Sequence, residues 1–446
     1  MTSTLDAREG SSPRGRSHRG PYTYLAAYFA AGAGAAALVT ALGKLAFDLS
    51  GRELDLGLLG LAEFAPAAFL VLLTGSVADR VERRWVSSAG SLGECAAALL
   101  MTAYVASRPS AVGPLFALAL VLGVARAFVA PASRSLPADL VPPERLPWLV
   151  ARWTIVFQLA LVAGPVLAGF LYAVDERAPF AAASVLFLVA AAGFARLPPP
   201  LVPSAAAPAA TAGAVDGAVD GAVAVAATTA SEVAGDVGEP APGGLHQALE
   251  GLRLVRHQPI LLGAISLDLF AVLFGGAVAL LPAIAEERLG VGPVGLGWLR
   301  AAPGIGAAAV MLVLAVRPVR RHVGPALLGA VALFGMATIV LGATRSYVVA
   351  FAALLVLAGA DALSVFIRVT LVPLVTPASA RGRVLAVENV FIGASNELGA
   401  FESGVTGQLL GPGLAVGIGG VATLCVAGLW WRLFPALRRV DRFPRT

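Results

Sequence analysis

The stretch GSVADRVERR, residues 75–84, decides the fold, because it lies between two apolar runs that are each long enough to cross a membrane. Ionisable side chains avoid the hydrocarbon, so this charged break predicts a loop at the membrane surface. Gly75 allows a neighbouring helix to approach closely. Asp79 is placed to face the positive N-terminal end of another helix. The loop is therefore interpreted as a latch between two halves of the protein, or alternatively as a plain basic loop that sets topology.

The composition predicts an integral membrane protein. Of the 446 residues, 58% are hydrophobic and 13% are charged, against roughly 25% charged in soluble domains. The net charge of +5 would suggest a nucleic-acid partner for a soluble domain. In a membrane protein the position of the basic residues matters more than their sum, so the lipid bilayer is the expected partner and nucleic acid is not.

Several classes of enzyme and cofactor site are excluded by single residue types. Lys44 is the only lysine and Leu45 follows it, so the chain has no phosphate-binding loop of the Gly-Lys-Ser/Thr type. The histidines fall in segments interpreted as aqueous, which disfavours a buried metal site, a histidine proton relay and a histidine-activated serine. Cys95 and Cys425 lie in apolar segments as small packing residues. We expect no enzyme activity, no metal and no cofactor.

Apolar length predicts twelve spans. Their expected limits are 22–47, 56–74, 85–106, 111–131, 148–173, 178–196, 259–285, 293–315, 324–343, 346–369, 384–410 and 413–434. The expected domains are a tail at 1–21, a six-helix bundle at 22–197, a disordered linker at 198–244, a second bundle at 245–434 and a tail at 435–446. Residues 245–256 form an amphipathic stretch that we expect at the membrane surface.

The even number of spans places both termini on one side. Lysine and arginine concentrate in the tails and loops of that side, which predicts cytoplasmic termini in the cell membrane. The loops of the opposite side contain only five basic residues, which are Arg52, Arg108, Arg177, Arg288 and Arg345.

The residues of the charged loop resemble the signature loop between the second and third helices of the major facilitator superfamily. The matching positions are Gly75, Asp79, Arg80, Arg83 and Arg84, whereas Glu82 stands where the family often has glycine. The stretches DALSVFIR, TPASARGRVLAVEN and GASNELGAFESG within 359–411, with LGLAEFAP in the second span, resemble its enterobactin-exporter-like and macrolide-efflux-like branch. The resemblance implies an all-α membrane protein with twelve transmembrane helices in two parallel six-helix repeats. It also implies alternating access driven by a proton gradient, and a monomer is expected.

Internal similarity supports the repeat. The stretch that starts at Gly123, GVARAFVAPASRSLPADLVPPERL, parallels the one that starts at Gly359, GADALSVFIRVTLVPLVTPASARGRV. Each contains the end of a fourth helix and the loop into a fifth, as expected for two parallel repeats.

Acids inside the spans are the candidate proton carriers, because a charge in the hydrocarbon is costly unless it is paired or faces water. Glu63 and Asp268 lie near mid-span without a basic residue within a helical turn. Asp361 is the third candidate, on one face of its helix with Arg368 but about 10 Å away along the axis. A structural ion pair or hydrogen bond is the alternative interpretation for each acid.

Other polar residues inside the spans are candidates for substrate contact. Arg126 and Arg300 are placed either to attract an anionic substrate or to hold structural carboxylates. Arg368 needs a partner on another helix, and Glu397 or Glu402 is the expected one. Asn396 lies beside the polar stripe of the eleventh span, which we expect to face water or the other bundle. Lys44 and Asp48, four residues apart, are expected to neutralise each other.

The fifth span contains GPVLAG, residues 164–169, which resembles part of the antiporter motif of the family. Gly164, Pro165 and Gly169 are expected to bend the helix and let the bundles pack. A proline kink of the kind that any membrane helix tolerates is the alternative. The complete set of features predicts a proton antiporter that exports a small molecule such as a drug, siderophore or other natural product. An uptake proton symporter on the same fold, and a non-transporting membrane scaffold or secretion accessory, are the alternatives.

Overall fold

The computed structural model describes residues 19–200 and 244–444, without the side chains of residues 71–80, 244–249 and 378. Residues 1–18 of the predicted tail at 1–21 and residues 201–243 of the predicted linker at 198–244 lie outside the described residues. The described residues contain twelve main helices, and each predicted span overlaps one of them. They are α1 (Arg19–Ser50), α2 (Glu53–Arg80), α3 (Arg83–Ala106), α4 (Gly113–Leu140), α5 (Leu146–Val174), α6 (Ala178–Ala195), α7 (Pro259–Phe274), α8 (Pro293–Val316), α9 (Val323–Ala343), α10 (Tyr347–Val375), α11 (Arg381–Leu410) and α12 (Pro412–Leu433).

Length and apolar composition make nine of the described helices able to cross a membrane, or ten if a bent pair that includes α7 counts as one span. The helix α11 fails this composition test because it contains Glu388, Glu397 and Glu402. A helix this polar is stable in a membrane protein only where neighbouring helices or a water-filled cavity cover its polar side. The packing of α11 against α2 and α7 provides that cover.

The helices form two bundles with the same internal arrangement. In the first, α1 packs on α5 and α6, α3 packs on α4 and α6, and α2 packs on α4. The contacts of the second repeat these with every helix number raised by six, since α7 packs on α11 and α12, α9 on α10 and α12, and α8 on α10. This correspondence is what two parallel six-helix repeats require.

The two bundles meet along α2 and α11 and along α5 and α8. Both contacts lie toward the end of the molecule opposite to the start of α1 and the end of α12. We call this end the distal end and the other the terminal end. Glycines allow the close approach, because a Cβ on Gly169 would lie 3.1 Å from Cα of Gly297, and a Cβ on Gly57 would lie 2.9 Å from the Ala400 carbonyl oxygen.

Three helices extend six or more residues beyond the predicted ends of their spans. The helix α2 continues through most of the charged stretch to Arg80, and only residues 81–82 separate it from α3. The helix α4 runs to Leu140 rather than to 131, through Pro131 and Pro137, and α10 runs to Val375 rather than to 369. The expected ends of α2 and α4 were wrong because a helix does not stop at the hydrocarbon boundary, and good helix formers such as Arg80 and Arg134 lie beyond it. The extension of α10 is the apolar stretch TLVPLV, residues 370–375, which the expected end at 369 left out.

The seventh predicted span, 259–285, is interrupted. The helix α7 ends at Phe274, and Gly275 and Gly276 follow before a short helical turn, Leu281–Ala283, and a π-helical turn, Ile284–Arg288. A Cβ on Gly275 would lie 2.6 Å from Cζ of Phe334, and one on Gly276 would lie 2.6 Å from the carbonyl carbon of Gly399. The chain therefore needs two glycines here, and adjacent glycines weaken a helix by roughly 1 kcal/mol each.

The predicted amphipathic stretch is a helix, Gly244–His257. It bends by 106° into α7 and packs against α11, where Glu250 forms an ion pair with Arg383. The sharp bend directs this helix across the end of the bundle rather than along it, as expected for a helix at the membrane surface.

Candidate functional site

A cavity of about 570 Å³ lies between the two bundles, within the ~300–1,000 Å³ typical of small-molecule sites. Its wall is mainly apolar and comes from helices of both bundles. The charged residues that line it are Glu63, Glu94, Arg126, Arg134, Arg300, Asp361 and Glu397. Of the predicted substrate or proton residues, Glu63, Asp361, Arg126, Arg300, Asn396 and Glu397 line it, whereas Asp268, Arg368 and Glu402 do not.

On the wall of the first bundle, acids surround one arginine. Nη1 of Arg126 lies 3.6 Å from Oε1 of Glu63, and Arg126 is also close enough to attract the carboxylate of Glu94. Gly123, one turn before Arg126, allows this pairing, because a Cβ there would lie 3.0 Å from the backbone carbon of Glu63. The close contact of α4 with α2 therefore brings the arginine beside an acid for which the sequence showed no basic partner.

The wall of the second bundle presents charges without direct partners. Among the described residues, Arg300 on α8, Asp361 on α10 and Glu397 on α11 form no ion pair within 4 Å and no side-chain hydrogen bond. Glu397 nevertheless lies close enough to Glu63 for their charges to repel each other. These three side chains are the groups of the wall most available to a bound molecule.

Behind this wall lies a buried ionic cluster in the second bundle. Nη2 of Arg368 lies 2.7 Å from Oδ1 of Asp268, and its Nη1 lies 3.5 Å from Oε1 of Glu388. All three residues are at most 4% exposed. The expected pairing of Arg368 with Glu397 or Glu402 was wrong, because α7 places Asp268 against α10. Asp268 and Arg368 lie far apart along the chain, so the sequence does not show that they are in contact. Asp361 lies between cavity and cluster, within electrostatic reach of Asp268 and Arg368.

The distal end of the cavity is closed by an ion-pair network that joins the bundles, which we call the distal seal. Lys44 on α1 pairs with Asp48, as the sequence predicted, and its Nζ also lies 2.9 Å from Oε2 of Glu286 in the second bundle. The hydroxyl of Tyr172 on α5 donates a hydrogen bond of 2.8 Å to Asp48. Sequence reasoning missed Glu286 because it was expected just beyond an uninterrupted seventh helix.

The basic end of the predicted latch stabilises the first bundle. Nη1 of Arg83 lies 3.2 Å from Oδ1 of Asp139 at the end of α4. Arg84 pairs with Glu82 at 2.6 Å and donates a hydrogen bond to the carbonyl oxygen of Leu197, after α6. Both arginines thus hold three helices together at the terminal end. The other latch residues, Gly75, Asp79 and Arg80, lie where side chains are outside the described residues, so a latch between bundles stays a prediction for them.

The glycines of the fifth helix serve two contacts. A Cβ on Gly164 would lie 2.6 Å from the Ala33 carbonyl oxygen of α1, so Gly164 packs the first bundle. Gly169 faces α8 and packs the two bundles together. Pro165, between them, lines the cavity. These contacts explain the small residues of the motif, while the predicted bend of the helix stays a prediction.

Two charged residues of the wall, Glu94 on α3 and Arg134 on α4, were not among the predicted site residues. Arg134 lines the cavity from α4, but the fourth span was expected to end at 131. The good helix formers Ala132, Arg134 and Leu136 were the signal that would have extended α4.

Comparisons with known proteins agree with this architecture. The family model of the Major Facilitator Superfamily matches residues 24–399, and no curated protein gives a significant match. Among solved structures, a bacterial homolog of the human lysosomal transporter Spinster, inward-facing and occupied, has a TM-score of 0.66 at 14% identity, covering 97% of this chain and 100% of that one.

Two further solved structures give the same result. A POT family transporter in complex with 5-aminolevulinic acid has a TM-score of 0.68 at 10% identity, covering 94% of this chain and 96% of that one. The human organic anion transporter MFSD10 has a TM-score of 0.59 at 18% identity, covering 92% and 99%. At these identities the likeness shows the fold, and with the family match it confirms the twelve-helix fold of two parallel repeats. The chain belongs to the Major Facilitator Superfamily and is a multi-pass membrane transporter of a small molecule rather than an enzyme.

Proposed function

We propose that this transporter exports its substrate from the cytoplasm by proton antiport, with alternating access to a cavity between the bundles. The observation that carries the proposal is the charged cavity itself, which is lined by both bundles and closed by the distal seal. A movement of one bundle against the other that breaks the contact between Lys44 and Glu286 would expose the cavity at the distal end. The chain is proposed to work as a monomer.

The direction of transport follows from the orientation of the chain. The described basic loops and residues 435–444 lie at the terminal end, which supports cytoplasmic termini in the cell membrane by the distribution of lysine and arginine. The distal end then faces outward, and the arrangement described here is closed to the outside. The enterobactin-exporter-like and macrolide-efflux-like resemblance, together with the antiporter-like residues Gly164, Pro165 and Gly169, favours export over uptake.

Proton coupling is supported by the balance of charges in and behind the cavity. Arg368 is shared by Asp268 and Glu388, and Asp361 lies beside this cluster without a direct basic partner. An unneutralised carboxylate in a buried site is costly, and binding a proton removes that cost. We therefore assign proton binding first to Asp361. Asp268, which shares Arg368 with Glu388, and Glu63, which is paired with Arg126, are assigned as further proton sites, where a proton would replace the charge of the arginine when the pair opens.

The test is transport in everted membrane vesicles, which present the cytoplasmic face outward. A panel of cationic, neutral and siderophore-like compounds would be followed with wild type, Asp361→Asn and, as a charge-changing control remote from the cavity, Arg152→Gln. Arg152 stacks on Trp148 at 4.1 Å from the ring centre and does not line the cavity. Export by antiport predicts uptake into everted vesicles that collapses with an uncoupler, is lost in Asp361→Asn and persists in Arg152→Gln.

Two results would separate the alternatives. Uncoupler-sensitive accumulation in right-side-out vesicles, but not in everted ones, would establish the uptake symporter instead. Transport that continues in the absence of a proton gradient, and is unaffected by Asp361→Asn, would contradict proton coupling while leaving the transporter assignment intact.

A further inference from the structure

We infer that the cavity binds an amphipathic organic anion whose carboxylate, sulfonate or phosphate group lies on the guanidinium of Arg300. This inference rests on the proposed function only in using the same cavity, and it specifies the chemical class of the substrate. Four features of the site support it.

The first feature is the position of Arg300 at the closed end of the cavity. Its side chain extends from α8 of the second bundle toward α1 of the first, where a Cβ on Gly43 would lie 3.0 Å from Nη2 of Arg300. Gly43 precedes Lys44, the residue that forms the distal seal with Glu286. The guanidinium therefore lies beneath the seal and touches both halves of the protein.

The second feature is the absence of a direct partner for this guanidinium. Among the side chains that the structure describes, no carboxylate lies within 4 Å of Arg300, and its Nε is buried without a hydrogen bond. Glu63 is the acid whose charge reaches it, but Glu63 is in contact with Arg126. The fully buried arginine of the second bundle, Arg368, is held by two acids. Arg300 is thus a half-buried cation to which the described side chains supply no anion in direct contact.

The third feature is the chemistry of guanidinium. A buried cation is costly unless an anion and hydrogen bonds satisfy it. The planar fork of arginine binds carboxylate and phosphate groups through two parallel hydrogen bonds. A substrate anion on Arg300 would supply both the missing charge and the missing hydrogen-bond acceptors.

The fourth feature is the wall of the cavity near the position of the anionic group. Apolar side chains from both bundles line the same cavity, among them Leu59, Phe157, Leu161, Phe334 and Leu357. They offer a surface for an apolar body of the size that about 570 Å³ admits. The ligand that satisfies both regions has one anionic end and one apolar body.

The test measures binding of three fluorescent probes with the same apolar body to the purified full-length protein in lipid nanodiscs. Dansylglycine is anionic, dansylglycinamide is neutral and dansyl-ethylenediamine is cationic. Wild type is expected to bind the anion tighter than the neutral amide by about tenfold or more, as two charge-assisted hydrogen bonds require. Arg300→Gln should remove this preference, and Arg300→Lys should retain part of it.

Two further variants keep the test independent of folding defects. Arg152→Gln removes an arginine outside the cavity and should leave the preference unchanged. Gly43→Ala keeps the charge but places a methyl group 3.0 Å from Nη2, so it should weaken anion binding more than amide binding. Each variant is first checked for wild-type elution and thermal stability.

Equal affinity of folded wild type for the three probes, absence of dansylglycine binding, or an anion preference that survives in Arg300→Gln would overturn the inference. Proton-driven export of a cationic or neutral compound without any anion preference would leave the proposed function intact and reject the anion site alone. Anion binding that depends on Arg300, combined with no proton-driven flux in vesicles, would support the anion site and reject the proposed proton antiport.

Discussion

The contact between Gly169 and Gly297 offers the sharpest prediction, because it holds the two bundles together at the distal end. In Gly169→Ala, the new Cβ would lie 2.6 Å from the Pro293 carbonyl oxygen, about 0.8 Å closer than ordinary van der Waals contact. Both obstructing groups are backbone, so α5 and α8 must move apart. Overpacking of this kind costs typically 1–3 kcal/mol. If only the distally closed state bears that cost, the equilibrium shifts toward the distally open state by about 5- to 150-fold.

The assay uses a cysteine at Leu56, which is 5% exposed beneath the distal seal, in a background where Cys95 and Cys425 are replaced. A membrane-impermeant maleimide added from the distal side should label Leu56→Cys at least about five times faster when Gly169→Ala is present. Gly428→Ala is the matched control, because a Cβ there meets nothing within 4 Å. An unchanged or slower labelling rate in correctly inserted Gly169→Ala protein would refute the assigned role of this contact.

Two other predictions concern the ionic clusters. Removing the cation in Arg368→Gln leaves two buried carboxylates uncompensated, which should destabilise the protein by about 3–5 kcal/mol. Thermal denaturation should show a large drop in Tm, which the second substitution Asp268→Asn partly restores. A wild-type Tm in Arg368→Gln would argue against a stabilising role of the cluster. Lys44→Met should open the distal seal more weakly, since Glu286 is half-exposed and such pairs contribute ~0–1 kcal/mol. Its labelling rate at Leu56→Cys should match that of Glu286→Gln, and additive effects in the double variant would show that the two residues act separately.

Much of the fold was predictable from the sequence, because membrane length and charge placement are local signals. Twelve apolar runs, a charged break at 75–84 and the internal repeat all pointed to two six-helix bundles, and the helices confirm them. Helix ends were less predictable. The helices α2 and α4 continue beyond their apolar residues, since the hydrocarbon boundary does not end a helix that polar residues can extend, and α10 continues through the further apolar residues 370–375.

The candidate site was only partly predictable for a different reason. Hydropathy identified which residues were costly in the membrane, and Glu63, Arg126, Arg300, Asp361 and Glu397 indeed line one cavity. Pairing depends on which helices face each other, which one sequence does not show.

Two partners illustrate this limit. Asp268 reaches Arg368 across a hundred residues because α7 packs near α10. Glu286 reaches Lys44 because two glycines interrupt the seventh span and redirect the chain. The contact of Asp268 leaves no local signal, and the glycine pair indicates a break in the span without indicating the partner of Glu286.

The most direct test of the central claim is a pair of distance measurements between spin labels on the two bundles. One pair replaces the exposed Arg108 and Arg345 at the distal end, and the other replaces the exposed Glu144 and Arg320 at the terminal end. The account predicts that Gly169→Ala lengthens the distal distance and shortens the terminal one in the same protein population. Distances that both stay fixed, or that lengthen together, would contradict alternating access about this cavity.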